Sequence, residues 1–199
     1  IEIINPTIDT ESYYVSKKVD DYYLIVSRLE KYKMVDLAIH TFNKIGKPLK
    51  IIGRGMEENR LKNIANDNIE FVGSVSQNEL VEYYSKCKAL VFPQYEDYGL
   101  TPLEANACGR PVIAYGYGGI RSTMIPYDPK KLGLDFTAVF FNRNNPDSLN
   151  EAVDSFEKLE VNENFIRKHA EKFDDQIFIR ELKSFIETEF KSFKNNTNS

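Results

Sequence analysis

The 199-residue chain is long enough for one ordinary domain with its own core, and 42% hydrophobic with 28% charged residues excludes intrinsic disorder. A formal net charge of −4 and a pI near 5.4, with basic residues scattered, argue against a nucleic-acid partner and leave room only for a local anion site. No apolar run approaches the ~20 residues that span a bilayer, and no signal peptide opens the chain, so no transmembrane segment is expected. The two cysteines, Cys87 and Cys108, belong to no C-x-x-C pair and sit beside apolar neighbours. They read as packing thiols in a reducing, cytoplasmic compartment.

In chain order, residues 1–20 are unlike a domain start. Ile3 and Ile4 precede Asn5-Pro6-Thr7, and polar residues lead on to Asp20-Asp21. The segment reads as a linker arriving from something upstream. From Tyr22 onward, strand and helix alternate. A buried strand is expected over 22–27, then a helix over 35–45 with Val35, Ala38, Ile39 and Phe42 on one stripe. A second strand spans 48–53. The helix expected over 56–65 carries Glu57 and Glu58 in its first turn, where acids favour the helix dipole. A strand over 69–73 precedes Ser76-Gln77-Asn78-Glu79, a capping box that starts a helix reaching Lys86.

Residues 89–119, ALVFPQYEDYGLTPLEANACGRPVIAYGYGG, organise the rest. Residues 89–93 read as a strand buried on both faces, followed by a polar loop over 94–100. Thr101, Pro102 and Glu104 look like a helix start, as N-cap, first-position proline and capping-box acid. Gly109 ends that helix, 111–114 is another strand, and Gly116, Gly118 and Gly119 give a flexible loop. Residues 120–135 read as irregular and 136–141 as the last strand. Beyond Asn145-Pro146, helices are expected over 147–159, 162–172 and 175–193. The last is amphipathic through Ile179, Leu182, Phe185, Ile186 and Phe190, and 194–199 should fray into a disordered tail.

Repeated alternation with short connections predicts an α/β fold, a Rossmann-like doubly wound parallel sheet with helices on both faces. It occupies residues 21–145, and the helices of 146–193 pack on it. Glu96 and Glu104 then bracket one strand-to-helix turn at the carboxyl end of a parallel strand, where open α/β sheets bind ligands. Arg28 follows the first strand directly and Lys33 lies five residues on; by residue type they read as two solvated loop cations, while a βα loop at this edge of a sheet is also where a diphosphate would be held. His40 and His169 have no ligand-spaced partner. No DxD-type acidic pair is evident, so neither a catalytic metal nor a cofactor is expected.

The run Glu96-Asp97-Tyr98-Gly99-Leu100-Thr101-Pro102-x-Glu104 resembles the E-x7-E signature of retaining nucleotide-sugar glycosyltransferases with the GT-B fold, carbohydrate-enzyme family four. Val26-Ser27-Arg28-Leu29-x-x-Tyr32-Lys33-x-Val35-Asp36 is similar to that family's arginine–lysine diphosphate clamp. The resemblance covers roughly residues 21–152 and implies the C-terminal, donor-binding half of an enzyme whose N-terminal domain holds a glycan or lipid-linked acceptor. It implies catalytic roles for Arg28, Lys33 and Glu96, with Glu96 on donor-sugar hydroxyls and Glu104 on the ribose. Amides around Tyr98, Gly99, Leu100 and Thr101 would help hold the diphosphate. Gly53 and Gly55 would let the chain pass close to the nucleotide, and the loop carrying Val75 and Gln77 would hold the base.

The wording of 32–39 and 96–119 looks most like bacterial mannosyltransferases that take GDP-mannose for surface polysaccharides; a UDP-hexose donor stays open, as does peripheral attachment of the full-length protein to the inner face of a membrane. The chain departs from relatives in having Ser122 where they often carry glutamate, and Thr137-Ala138 where they carry threonine–glycine. Four other readings compete. A glycoside hydrolase would need both glutamates across one scissile bond. A Rossmann dinucleotide fingerprint would need glycine where Glu58 stands. An epimerase or a non-catalytic nucleotide-binding module of the same architecture remains the alternative.

Overall fold

In the computed structural model, which describes residues 5–130 and 135–197, the apolar runs form six parallel strands. They are β1 (Tyr23–Val26), β2 (Leu49–Ile52), β3 (Ile69–Gly73), β4 (Leu90–Phe92), β5 (Val112–Tyr115) and β6 (Ala138–Phe141). The spatial order is β3-β2-β1-β4-β5-β6. The helices are α1 (Val35–Ile45), α2 (Glu58–Ile64), α3 (Gln77–Lys86), α4 (Leu100–Ala107), α5 (Ile120–Thr123), α6 (Pro146–Phe156), α7 (Glu163–Ala170) and α8 (Asp175–Thr197).

Successive strand residues point to opposite faces, so a strand buried on both sides must be apolar throughout. Tyr23 and Ile25 of β1 join one core with Phe42 of α1, Ile51, Val91, Ile113 and Leu149 of α6. Leu24 between them joins the other core with Leu90, Phe92, Val112, Tyr84 of α3 and Leu103 of α4. Both faces are covered. Ser76 and Glu79 form the expected capping box at α3, and Asn145 caps α6 by accepting from the Ser148 N–H, with Pro146 in the first turn.

Several boundaries shift. The second helix is shorter than expected at both ends, and the 162–172 segment breaks into α7 and a 3-10 turn, Glu171–Phe173. The stretch read as irregular holds the one-turn α5 and a backbone bridge between Pro126 and Ala138, while 131–134 lie outside the described residues. The last helix runs on to Thr197 rather than fraying after 193; 198–199 lie outside the described residues.

Residues 1–4 of the expected linker also lie outside them, but 5–19 are bound to the fold. The Ile8 N–H donates to the Phe173 carbonyl at 3.0 Å, and the Arg167 guanidinium donates to the carbonyls of Thr10 (2.8 Å), Tyr13 (3.1 Å) and Ala107 (2.5 Å). Ile8, Thr10 and Tyr13 are buried. Both cysteines are buried and unpaired; burial pushes the Cys108 thiol up to about 12, a packing thiol rather than a reactive one.

Candidate active site

The sequence winds outward from β1 to β3, then returns to place β4 on the other side of β1. At such a switch point the loops leaving the two strands diverge and a crevice opens beyond their carboxyl ends. A cleft of about 390 Å³ lies there. Val26, Ser27, Arg28 and Lys33 line it from the β1 side, and Phe92, Gln94, Glu96, Asp97, Tyr98, Gly99, Leu100 and Thr101 from the β4 side. A larger groove of about 640 Å³ runs beside β6 and α6, but its Arg143 is already paired with both carboxylate oxygens of Glu151.

The β1 loop is pinned by its backbone. Ser27 N–H donates to the Ile52 carbonyl at 3.0 Å, Leu29 N–H to Arg54 at 2.9 Å, and Glu57 N–H returns to Leu29 at 3.0 Å. The loop after β2 can lie this close only because Gly53 and Gly55 lack side chains. A Cβ on Gly53, at φ 135°, would stand 1.8 Å from the Ser27 carbonyl oxygen, and one on Gly55 would stand 2.3 Å from that of Leu29. The close approach these glycines permit is therefore to the Arg28 loop. Neither lines the cleft, nor do Val75 and Gln77: Val75 packs into the second core, and Gln77 opens α3 and donates to the Tyr13 hydroxyl at 3.4 Å.

A 3-10 turn over Lys31–Lys33 ends at Met34, whose φ of 54° redirects the chain into α1. This aims Lys33 into the cleft, where its side chain is 12% exposed and its ammonium pairs with the Glu96 carboxylate. Tyr32 joins the two cations. Its hydroxyl accepts from Arg28 Nη2 at 3.0 Å, and Lys33 Nζ stands 4.9 Å from its ring centre. Sequence reasoning quoted Tyr32 in the motif without assigning it this task. The nearly buried Gln94 was missed for the same reason, since a lone glutamine in a loop carries no signal.

The β4 loop is held from the other side. Glu96 bridges Gly118, and the Gly119 N–H donates to the Glu96 carbonyl at 2.9 Å. A Cβ on Gly119 would lie 1.8 Å from the Asp97 carbonyl oxygen. The glycine run read as a flexible loop is thus packed backbone to backbone against the loop that carries Glu96.

The helix start differs from expectation. Gly99, at φ 88° and ψ 93°, is the N-cap of α4, and no side chain caps it. The reason is geometric: glycine turns the chain into the helix two residues before Thr101 without a Cβ penalty. The first amides of α4, at Leu100 and Thr101, consequently have no intrahelical partner at the cleft wall. Glu104 falls in the second turn, outside the capping box, and instead accepts from the buried Tyr84 hydroxyl at 2.7 Å. Burial, then the Glu104 charge, holds the Tyr84 phenol far above its ordinary pKa, so it stays a donor. Glu104 is partly exposed beside the cleft rather than among its lining residues.

Among the described residues no group of three or more His, Cys, Asp or Glu side chains could hold a metal ion, and no helix is long and apolar enough to cross a membrane. Buried His169 bonds the Thr123 carbonyl, and His40 is exposed.

The profile of the family described as "Glycosyl transferases group 1" matches residues 12–175. An uncharacterised glycosyltransferase of Methanocaldococcus jannaschii is 30% identical over 135 residues, covering 65% of this chain and 36% of the relative. Among solved structures, sucrose-phosphate synthase of Thermosynechococcus elongatus superposes with a TM-score of 0.81 at 20% identity, over 96% of this chain and 53% of the other. Anabaena HepE, described in complex with UDP and glucose, gives 0.75 at 15% identity, over 94% and 56%. At these identities the structural likeness speaks for the fold. The chain spans between about a third and somewhat over half the length of these relatives.

Proposed function

We propose, from the premise that this chain belongs to the group 1 glycosyl transferases, that it is the donor-binding part of a retaining enzyme transferring a hexosyl group from a nucleoside diphosphate sugar. The observation that carries the reading is the single cleft in which Arg28 and Lys33 face Glu96 and the uncapped start of α4. Breaking the bond between the anomeric carbon and a phosphate oxygen builds negative charge on the leaving diphosphate. Fixed cations and free amides placed there stabilise that charge as it develops. Arg28, steadied by Tyr32, and Lys33 supply the cations, and Leu100 and Thr101 the amides. Glu96 accepts from hydroxyls of the donor sugar. Glu104, oriented by Tyr84, accepts from the ribose, as a carboxylate suits two adjacent hydroxyls. With the charge neutralised this way, we assign no metal and no cofactor to the reaction.

The first donor to test is GDP-mannose; the second reading is a UDP-linked hexose, the nucleotide named with HepE. A glycan or lipid-linked acceptor is assigned to a part of the enzyme beyond this chain, working at or near the cytoplasmic face of a membrane. The chain alone should then bind nucleoside diphosphate weakly and transfer no sugar. Calorimetry with GDP and UDP on the wild type and the Arg28→Ala/Lys33→Ala variant tests the site. A loss of at least about tenfold in affinity is expected, since each charge-assisted contact contributes on the order of 1.5–3 kcal/mol. Equal affinity in the double variant would remove the clamp, and sugar transfer by this chain would remove the division of labour.

A further inference from the structure

We infer that Glu96 discriminates the spent nucleoside diphosphate from the intact sugar donor: by pairing with Lys33 across the cleft it weakens the grip on the product. The inference rests on the donor site proposed above and adds a release function to it. Lys33 is the less exposed of the two cations in the cleft, and its ammonium is already taken by the Glu96 carboxylate, itself 29% exposed. Partial shielding makes this pair harder to screen than a surface one. Arg28, by contrast, is exposed and, among the described residues, held by the neutral Tyr32 hydroxyl alone.

The carboxylate is carried on a fixed backbone. Glu96 is bridged to Gly118, accepts from the Gly119 N–H at 2.9 Å, and leaves only 2.5 Å between its carbonyl oxygen and a Cβ built on Gly118. A diphosphate drawing on the Lys33 N–H groups must therefore arrive beside a carboxylate that stays close, with Asp97 next to it on the same loop. Intact donor compensates, because the sugar's hydroxyls donate to the carboxylate as the ammonium turns to phosphate. The spent diphosphate has no such donors, and its freed terminal phosphate carries extra negative charge at neutral pH. The carboxylate is thus satisfied before transfer and both unpaired and repelled after it. Leaving a charge unpaired raises the off-rate of the ligand responsible.

The test is calorimetry on this chain with UDP, GDP, UDP-glucose and GDP-mannose. Wild type is compared with Glu96→Gln, Glu96→Ala, Lys33→Ala and the Glu96→Gln/Lys33→Ala double variant. Both Glu96 variants should tighten the bare diphosphate by roughly tenfold while leaving its sugar conjugate unchanged or weaker, and the gain should shrink when Lys33 is absent, leaving only the direct repulsion between carboxylate and phosphate. Weaker or unchanged diphosphate binding in Glu96→Gln would overturn the inference, as would equal tightening of diphosphate and donor. A chain that binds neither nucleotide, or binds equally without Lys33, overturns the donor site as well. Binding that needs Lys33 but ignores Glu96 overturns only the release function.

Discussion

Tyr84 lies wholly inside the protein, yet its hydroxyl reaches the partly exposed Glu104 at 2.7 Å, with Tyr13 packed edge-on against its ring. Removing that hydroxyl takes away one part-buried hydrogen bond and loosens the carboxylate, which keeps Tyr13 as a neighbour. Tyr84→Phe should cost about 1 kcal/mol of stability. It should also weaken a nucleoside diphosphate several-fold while leaving inorganic pyrophosphate, which has no ribose, unaffected. Calorimetry with both ligands decides, and equal losses for the two would place Glu104 away from the ribose. A second single-residue effect concerns pH. His169 packs against Phe173, places Nε2 2.6 Å from the Thr123 carbonyl oxygen, and leaves Nδ1 buried without a partner. Burial lowers its pKa; the Thr123 carbonyl opposes that, and the Lys172 charge adds to it. The unfolded chain therefore binds the proton more readily, and stability must fall as pH drops through about 6.5 toward the lower native value. Thermal unfolding between pH 7.5 and 5.5 should show that decline, and His169→Gln should flatten it.

Gly99 decides where α4 begins, and the helix start is what exposes amides to the cleft. A Cβ on it would lie 3.1 Å from Phe92 Cζ and 3.5 Å from Pro102 Cδ, in a backbone conformation side chains rarely adopt. Gly99→Ala should lose on the order of 1–3 kcal/mol, read by urea unfolding, and weaken nucleotide binding by shifting Leu100 and Thr101. The misplaced helix start shows what the sequence makes legible. Six strands and the four helices between β1 and β5 were readable because their apolar periods are local properties, as in Leu24 set between Tyr23 and Ile25; the one-turn α5 was not. The meeting of Arg28, Lys33 and Glu96 was readable from motif wording together with the rule that ligands bind at strand ends. Thr101-Pro102-x-Glu104 misled because the same letters suit a cap or a second turn, and a positive φ two residues earlier chooses between them. Gly53 and Gly55 carried a real signal, close approach, but not that the backbone of Ser27 and Leu29 is what they approach, and Gly119, read as flexible, packs on the Asp97 backbone.

At the scale of the molecule, residues 5–19 of the segment read as a linker form a strap on the domain, unforeseen because its partners are remote in sequence: Tyr98 stands 92 residues from Pro6, and Asp174 stands 164 from Thr10. Arg167 ties it down by donating to carbonyls of Thr10 and Tyr13 and, across the strap, to the last residue of α4. Buried Arg110 does the same at the Ser16 carbonyl (2.7 Å), and the Thr10 hydroxyl donates to Asp174 at the head of α8. That bond, more than any charge nearby, holds the Asp174 carboxyl below its usual range. The strap also reaches the cleft, where the Tyr98 hydroxyl donates to the Pro6 carbonyl at 2.9 Å. Cutting Arg167 out therefore removes the guanidinium from three carbonyls, of which that of Thr10 keeps the Tyr13 N–H at 3.2 Å, and loosens Tyr98 from a distance. Arg167→Met should lower stability by at least about 2 kcal/mol in urea unfolding and open residues 5–19 to proteolysis first. Arg167→Lys keeps the charge but loses the planar fork that serves several acceptors at once, so it should recover only part of the loss. Full recovery by lysine would mean that charge alone, rather than the three-way geometry, fastens the strap.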